Sequence, residues 1–210
     1  MLLFCFRLDS KIEMVKQIPN MLTFGRLILS VVFLVMVYLS PSRAEPKWLY
    51  LDMAFALFVV AGLTDLADGY LARKFDATSK FGRIVDPLAD KVLICGAFIV
   101  FAVIGEPKLF NLDTQALAII QWTFVGVIIA REATVTIIRQ WSESRGIVFP
   151  ATWSGKLKMF LQAFAVGTVM VKMAHVQTDA WGYWFTSVVY IATISITIIS
   201  GVLSFKKLKT

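Results

Sequence analysis

Residues 48–72 read WLYLDMAFALFVVAGLTDLADGYLA, a nearly uninterrupted apolar run that closes on two aspartates, Asp65 and Asp68, and a glycine, Gly69. Spanning a bilayer takes roughly 20 predominantly apolar residues, so this stretch predicts a transmembrane helix. Strand barrels alternate apolar and polar residues, and this run does not. The two aspartates sit three residues apart and therefore share one helix face. Ionisable groups at the membrane are costly to place and usually functional.

The rest of the chain has the same character. Of 210 residues, 58% are hydrophobic and only 17% charged, and the mean hydropathy is +0.75. Soluble domains carry roughly 25% charged residues. The composition therefore excludes a disordered chain, a coiled coil and an ordinary soluble enzyme. Five further apolar runs join 48–72, at 21–39, 87–105, 115–139, 155–176 and 181–203. The expected fold is an all-α integral membrane protein, a six-transmembrane-helix bundle filling residues 19–205. Residues 1–18 mix Leu2, Phe6, Leu8, Ile12 and Val15 with Arg7, Lys11 and Lys16, the pattern of an amphipathic interfacial helix. Residues 206–210 form a basic tail. The opening MLLFCF is too short for a signal-peptide core, so no cleaved leader is expected.

The net charge of +7 reads as cationic loops at an anionic leaflet, with no nucleic-acid partner. Fourteen Lys and Arg fall in the two tails and the second and fourth connections, against three in the remaining connections. The positive-inside rule then puts both termini in the cytoplasm. Trp48, Tyr50, Trp181, Tyr183 and Trp184 fit an outer aromatic belt, and Trp141 and Trp153 an inner one. Cys5 and Cys95 have no metal-ligand spacing and form no disulfide framework.

Five of the fourteen acids fall between residues 65 and 90: Asp65, Asp68, Asp76, Asp86 and Asp90. Asp86-Pro87 reads as an N-cap with proline at the first helical position, and Asp90 lies one turn further on. A short connection makes the second and third spans antiparallel neighbours, so Asp65, Asp68, Asp86 and Asp90 converge near the cytoplasmic surface. Four carboxylates that close need cations between them. Arg73 and Lys91 are candidates, but this many hard oxygens better suits Mg²⁺ or Mn²⁺. Acids at one end only favour a surface-opening enzyme over a cation transporter or channel, which would want them across the bilayer depth. No P-loop or G-x-S-x-G motif is present, and the single histidine, His175, is expected at the outer interface.

Asp65-Leu66-Ala67-Asp68-Gly69-Tyr70-Leu71-Ala72-Arg73, followed by Gly82, Asp86 and Asp90 at their spacing, resembles the signature of the CDP-alcohol phosphatidyltransferase family. Pro19-Asn20 with Thr23 and Arg26 resembles that family's entrance to the first helix. Arg131-Glu132 through Arg139, Ser144-Arg145-Gly146, and Trp153 through Lys158 with Gln162 resemble its bacterial phosphatidylglycerophosphate synthases.

The resemblance implies a six-helix membrane bundle, expected as a homodimer in the bacterial inner (cytoplasmic) membrane among its lipids, with its active site facing the cytoplasm. It implies transfer of a phosphatidyl group from CDP-diacylglycerol to sn-glycerol 3-phosphate, giving phosphatidylglycerophosphate and CMP in phospholipid biosynthesis. By similarity, Asp65, Asp68 and Asp86 hold the metals, with Asp90 adding a ligand interaction and serving as general base. Gly69, Ala72 and Gly82 line the cytidine pocket, Arg73 reaches the diphosphate, Asp65 also contacts the donor, and Asp76, Thr78 and Ser79 are weaker nucleotide contacts. Arg131, Arg139, Arg145, Lys156 and Lys158 are the candidates for the acceptor's phosphate. Cardiolipin, inositol-phosphate, serine and ethanolamine-type transferases of the same family remain alternatives on sequence alone.

Overall fold

The computed structural model describes residues 23–42, 47–74, 80–110, 112–145 and 153–206, without the side chains of 65–74, 80–87 and a few helix-end residues. The amphipathic expectation for residues 1–18, and the positions of Asp76, Thr78 and Ser79, lie outside the described residues. Six helices are described: α1 (Thr23–Leu39), α2 (Lys47–Lys74), α3 (Lys80–Ile104), α4 (Thr114–Ser144), α5 (Trp153–His175) and α6 (Ala180–Lys206). A 3₁₀ turn, Ser40–Ser42, closes α1, where the Ser40 hydroxyl donates to the Val37 carbonyl at 2.8 Å.

The expectation of six membrane-crossing helices is corrected. Among the described residues, only three stretches are long and apolar enough to cross a bilayer: Thr114–Ser142, Gly155–His175 and Ala180–Ser204. Thr23–Leu39 and Trp48–Thr64 are apolar but no longer than 17 residues. In α2 the apolar stretch stops where the aspartates begin, and α3 opens on Lys80, Arg83, Asp86, Asp90 and Lys91. The charges that signal chemistry are the same charges that shorten these two helices' apolar lengths.

A second difference concerns the start of α3. The N-cap reading of Asp86-Pro87 placed that start at Pro87, but the helix begins at Lys80. Pro87 therefore sits inside the second turn, where its missing N–H forfeits the bond to the Arg83 carbonyl. Asp86 and Asp90 remain one turn apart, but they lie within the helix rather than at its positive end. At the other end the reading of the chain is direct. Gly105, at φ +72°, terminates α3 in a left-handed turn. Gly105 N–H donates to Ala102 O and Glu106 N–H to Phe101 O, the paired bonds of a Schellman cap.

α5 packs against α6, α2 and α3, while α4 packs against α3 and α6. Aromatic rings fill the centre. Phe98 of α3 lies edge-on to Phe124 of α4 at 5.0 Å, and Phe124 stacks on Tyr190 of α6 at 4.2 Å. Phe33 ties α1 to Phe58 of α2 at 5.4 Å. Buried hydroxyls return to their own helices: Ser30 donates to Arg26 O, Thr193 to Val189 O and Ser204 to Ser200 O. Such back-bonds satisfy polar groups where water is absent. Trp48, Trp181 and Trp184 are exposed at one end of the bundle, Trp141 and Trp153 at the other.

Candidate active site

The end of the bundle where α2 stops and α3 starts gathers most of the buried charge. Asp90 projects from α3 and is about one-third exposed, and the Arg26 guanidinium of α1 meets its Oδ1 at 3.3 Å. Arg26 itself is 1% exposed. A buried guanidinium that reaches across to a carboxylate fixes the orientation of that carboxylate and places positive charge beside it. Arg26 was legible only as part of a resemblance. The independent signal was a lone arginine within an apolar helix, which marks a function by default.

Next to Asp90 on α3, Lys91 donates to the Thr136 hydroxyl of α4 at 2.7 Å, and Thr136 donates in turn to the Glu132 carbonyl at 2.7 Å. These bonds tie Lys91, the residue after Asp90, to the α4 turn that carries Glu132 and a second cluster. There, Arg131 Nη1 lies 3.3 Å from Glu132 Oε1, and Lys158 Nζ of α5 contacts the same oxygen. Arg131 Nη2 donates to the Ser200 hydroxyl of α6 at 2.5 Å. Gly201 lies against the Arg131 stem: a Cβ there would sit 3.4 Å from Arg131 Cγ, an ordinary contact. Two cations from two helices thus share one carboxylate, and all three side chains are largely buried.

The cluster also holds donors with nothing to bind. Arg131 Nε and Gln162 Nε2 are buried without a partner among the described residues, as is Thr197 Oγ1. Gln162 follows Lys158 by one turn, and Thr197 precedes Ser200 by one turn. Surplus positive charge with unused N–H groups in a dry site is the electrostatic complement of an anion.

The structure treats the five candidate phosphate-binding residues differently. Arg131 and Lys158 are brought together, with Glu132 between them. Arg139, Arg145 and Lys156 are exposed, and the Arg145 guanidinium lies over the Trp141 ring at 4.0 Å. Eight residues advance a helix by 800°, which leaves Arg139 about 80° round from Arg131. Glu132, the hub of the cluster, was expected beside Arg131 as a group that orients or neutralises it, and it does contact Arg131; its link to Lys158 was not anticipated. Its signal was its neighbour, since a carboxylate beside a buried arginine is the cheapest way to hold it.

Backbone helix is described through Asp65, Asp68, Gly69, Ala72 and Arg73 on α2 and through Gly82 and Asp86 on α3, but their side chains are not. Among the described residues, no group of three or more His, Cys, Asp or Glu could hold a metal ion. At the opposite end, exposed His175 Nε2 lies 2.9 Å from Asp52 Oδ1, joining α5 to α2 far from the acid cluster.

A family model described as CDP-alcohol phosphatidyltransferase matches residues 16–200. A probable phosphatidylglycerophosphate synthase of Mycobacterium tuberculosis is 33% identical over 191 residues, 90% of this chain and 79% of the relative. A CDP-diacylglycerol–glycerol-3-phosphate 3-phosphatidyltransferase of Rickettsia typhi is 31% identical over 198 residues, 93% of this chain and 98% of the relative. A protein of the same description from Bacillus subtilis is 30% identical over 198 residues, 91% of this chain and 94% of the relative.

Proposed function

This chain belongs to the CDP-alcohol phosphatidyltransferase family, and from that premise we propose that its acceptor is sn-glycerol 3-phosphate. The products are then phosphatidylglycerophosphate and CMP. The observation that carries this reading is the Arg131–Glu132–Lys158 cluster, with its surplus cation and unpartnered Arg131 Nε. An alcohol that brings its own phosphate supplies the acceptor oxygens this cluster lacks. Neutral acceptors such as inositol alone do not. The names carried by the three relatives agree with this choice.

In the proposed reaction the acceptor's hydroxyl oxygen attacks the phosphorus that bears diacylglycerol. The bond from that phosphorus to the CMP oxygen breaks, and CMP leaves. Asp90 accepts the hydroxyl proton, held in orientation by Arg26. Arg131 and Lys158 bind the acceptor's phosphate, and so present its hydroxyl to Asp90. Gly69, Ala72 and Gly82 line the cytidine pocket, with Asp65 and Arg73 at the diphosphate and Thr78 and Ser79 beside the nucleotide. The donor set Asp65, Asp68 and Asp86, with Asp90, is made of hard carboxylate oxygens and suits Mg²⁺ or Mn²⁺. Such a cation supplies screening of the diphosphate's charge.

Purified enzyme given CDP-diacylglycerol and Mg²⁺ or Mn²⁺ is tested with glycerol 3-phosphate, inositol phosphate, serine, ethanolamine and phosphatidylglycerol. CMP release and the lipid product are both scored. Turnover with glycerol 3-phosphate well above the others is expected. Preference for another alcohol overturns the acceptor assignment while leaving the family chemistry intact.

A further inference from the structure

Away from the acid cluster, α2, α5 and α6 line a half-open cavity of about 410 Å³. Its walls include Phe55 and Phe58 of α2, Phe164 and Val171 of α5, and Trp181 and Phe185 of α6. That volume falls in the range of sites that bind small molecules. One lining side chain is charged: Lys172, on the last turn of α5. Lys172 is 4% exposed. Its direct contact is the Tyr183 ring face at 4.5 Å, and the nearest carboxylate acting on it, Glu106, lies outside the cavity and beyond salt-bridge distance. A buried ammonium resting on an aromatic face keeps unused N–H donors, which is costly unless an anion completes it.

Both ends of the cavity matter to what it can hold. Lys172 and Trp181 lie at the end of the bundle where α5 finishes and α6 begins, beside the exposed Trp48 and Trp184. Aromatic residues in this position mark the headgroup level of a bilayer. From there the walls run toward the bundle's middle with hydrocarbon side chains and two threonines, Thr168 and Thr186. A ligand that matches must carry an anionic head at Lys172 and a flexible apolar tail along Phe55, Phe58 and Phe164.

We propose that this cavity is a binding site for an anionic phospholipid of the leaflet facing away from the acid cluster. Its phosphate lies at Lys172, and one acyl chain lies between α2, α5 and α6. The site is separate from the acceptor cluster, because Lys172 sits at the end of α5 opposite Lys158. A second copy of this chain is the lesser candidate, since its docking surface would need a carboxylate placed to reach a lysine recessed to 4% exposure.

The test uses the full chain, purified in detergent and examined by native mass spectrometry with dioleoyl-phosphatidylglycerol or dioleoyl-phosphatidylcholine as probe. One retained phosphatidylglycerol per chain is expected, bound about tenfold more tightly than phosphatidylcholine. Lys172→Gln should abolish that preference. Gly167→Leu should weaken both lipids, because even a Cβ at Gly167 would lie 3.3 Å from the Phe55 ring. Thr168→Trp serves the same purpose should Gly167→Leu not fold. Arg131→Ala should leave the bound lipid unchanged. An unaltered preference in Lys172→Gln overturns the proposal. So does loss of the lipid in Arg131→Ala, which would place it at the acceptor site, or a chain dimer that excludes lipid from the groove.

Discussion

Asp90 illustrates how one residue's role depends on what faces it. In a helix alone it is one carboxylate among several. With the Arg26 guanidinium 3.3 Å away it is a carboxylate held in a single orientation. Asp90→Asn keeps the size and the contact with Arg26 but cannot accept a proton as a base. The rate should fall by at least about a hundredfold, the usual scale for a general base, with donor KM nearly unchanged; steady-state assays of CMP release check this. Asp65→Ala, Asp68→Ala and Asp86→Ala should each abolish turnover and weaken Mn²⁺ binding, which is read by titration of the metal. Arg131 and Arg139, alike in the sequence, should part company. Arg131→Ala removes a buried charge-assisted contact worth about 1.5–3 kcal/mol, and so should raise acceptor KM roughly ten- to hundredfold. Arg139→Ala should change it far less, because that side chain is exposed. Lysine at position 131 should rescue only partly, lacking the guanidinium's fork.

Among the elements, α6 carries little chemistry of its own but shapes the site through Ser200 and Gly201. Ser200 accepts from Arg131, and Gly201 lies against the arginine stem. Gly201→Ala puts a methyl at ordinary contact distance, 3.4 Å, and should be nearly silent. Gly201→Leu drives a branched chain into the Arg131 stem, so acceptor KM should rise while donor KM holds; measuring both separates displacement of Arg131 from general loss of fold. α3 shows the reverse dependence. Its C-terminus was readable from Gly105, whose positive φ only glycine adopts without cost. Its N-terminus was not, because Asp-Pro satisfies the rules for a helix start equally well inside a helix that tolerates one lost bond.

For the whole molecule, the distribution of cations argues an orientation with the acid cluster toward the cytoplasm. In a Cys5→Ser background, Ser79→Cys should react with a membrane-impermeant maleimide only after the cytoplasmic face is opened. Lys108→Cys should react from the outside in intact cells. Equal labelling from both faces would show a mixed topology. The bundle divides its labour along its length. One end holds Arg26, Asp90, Arg131 and Lys158, the middle is closed by Phe98, Phe124 and Tyr190, and the far end carries the aromatic residues and Lys172.

By themselves, the residues determined the helical class, the bilayer as solvent and the aspartate spacing that marks the family's chemistry. These are local properties, set by runs of apolar side chains and by intervals along one helix. The number of helices long enough to cross was less legible, because a span interrupted by functional charge looks like a full one until its apolar length is measured in place. Only the tertiary structure decided that Arg26 belongs with Asp90, and that Glu132 joins Arg131 to Lys158. It also separated Arg131 from Arg139. The reason is physical: a charge buried among helices is stable only with a partner. That partner is chosen by which faces of distant helices meet, a matter on which spacing along one chain is silent.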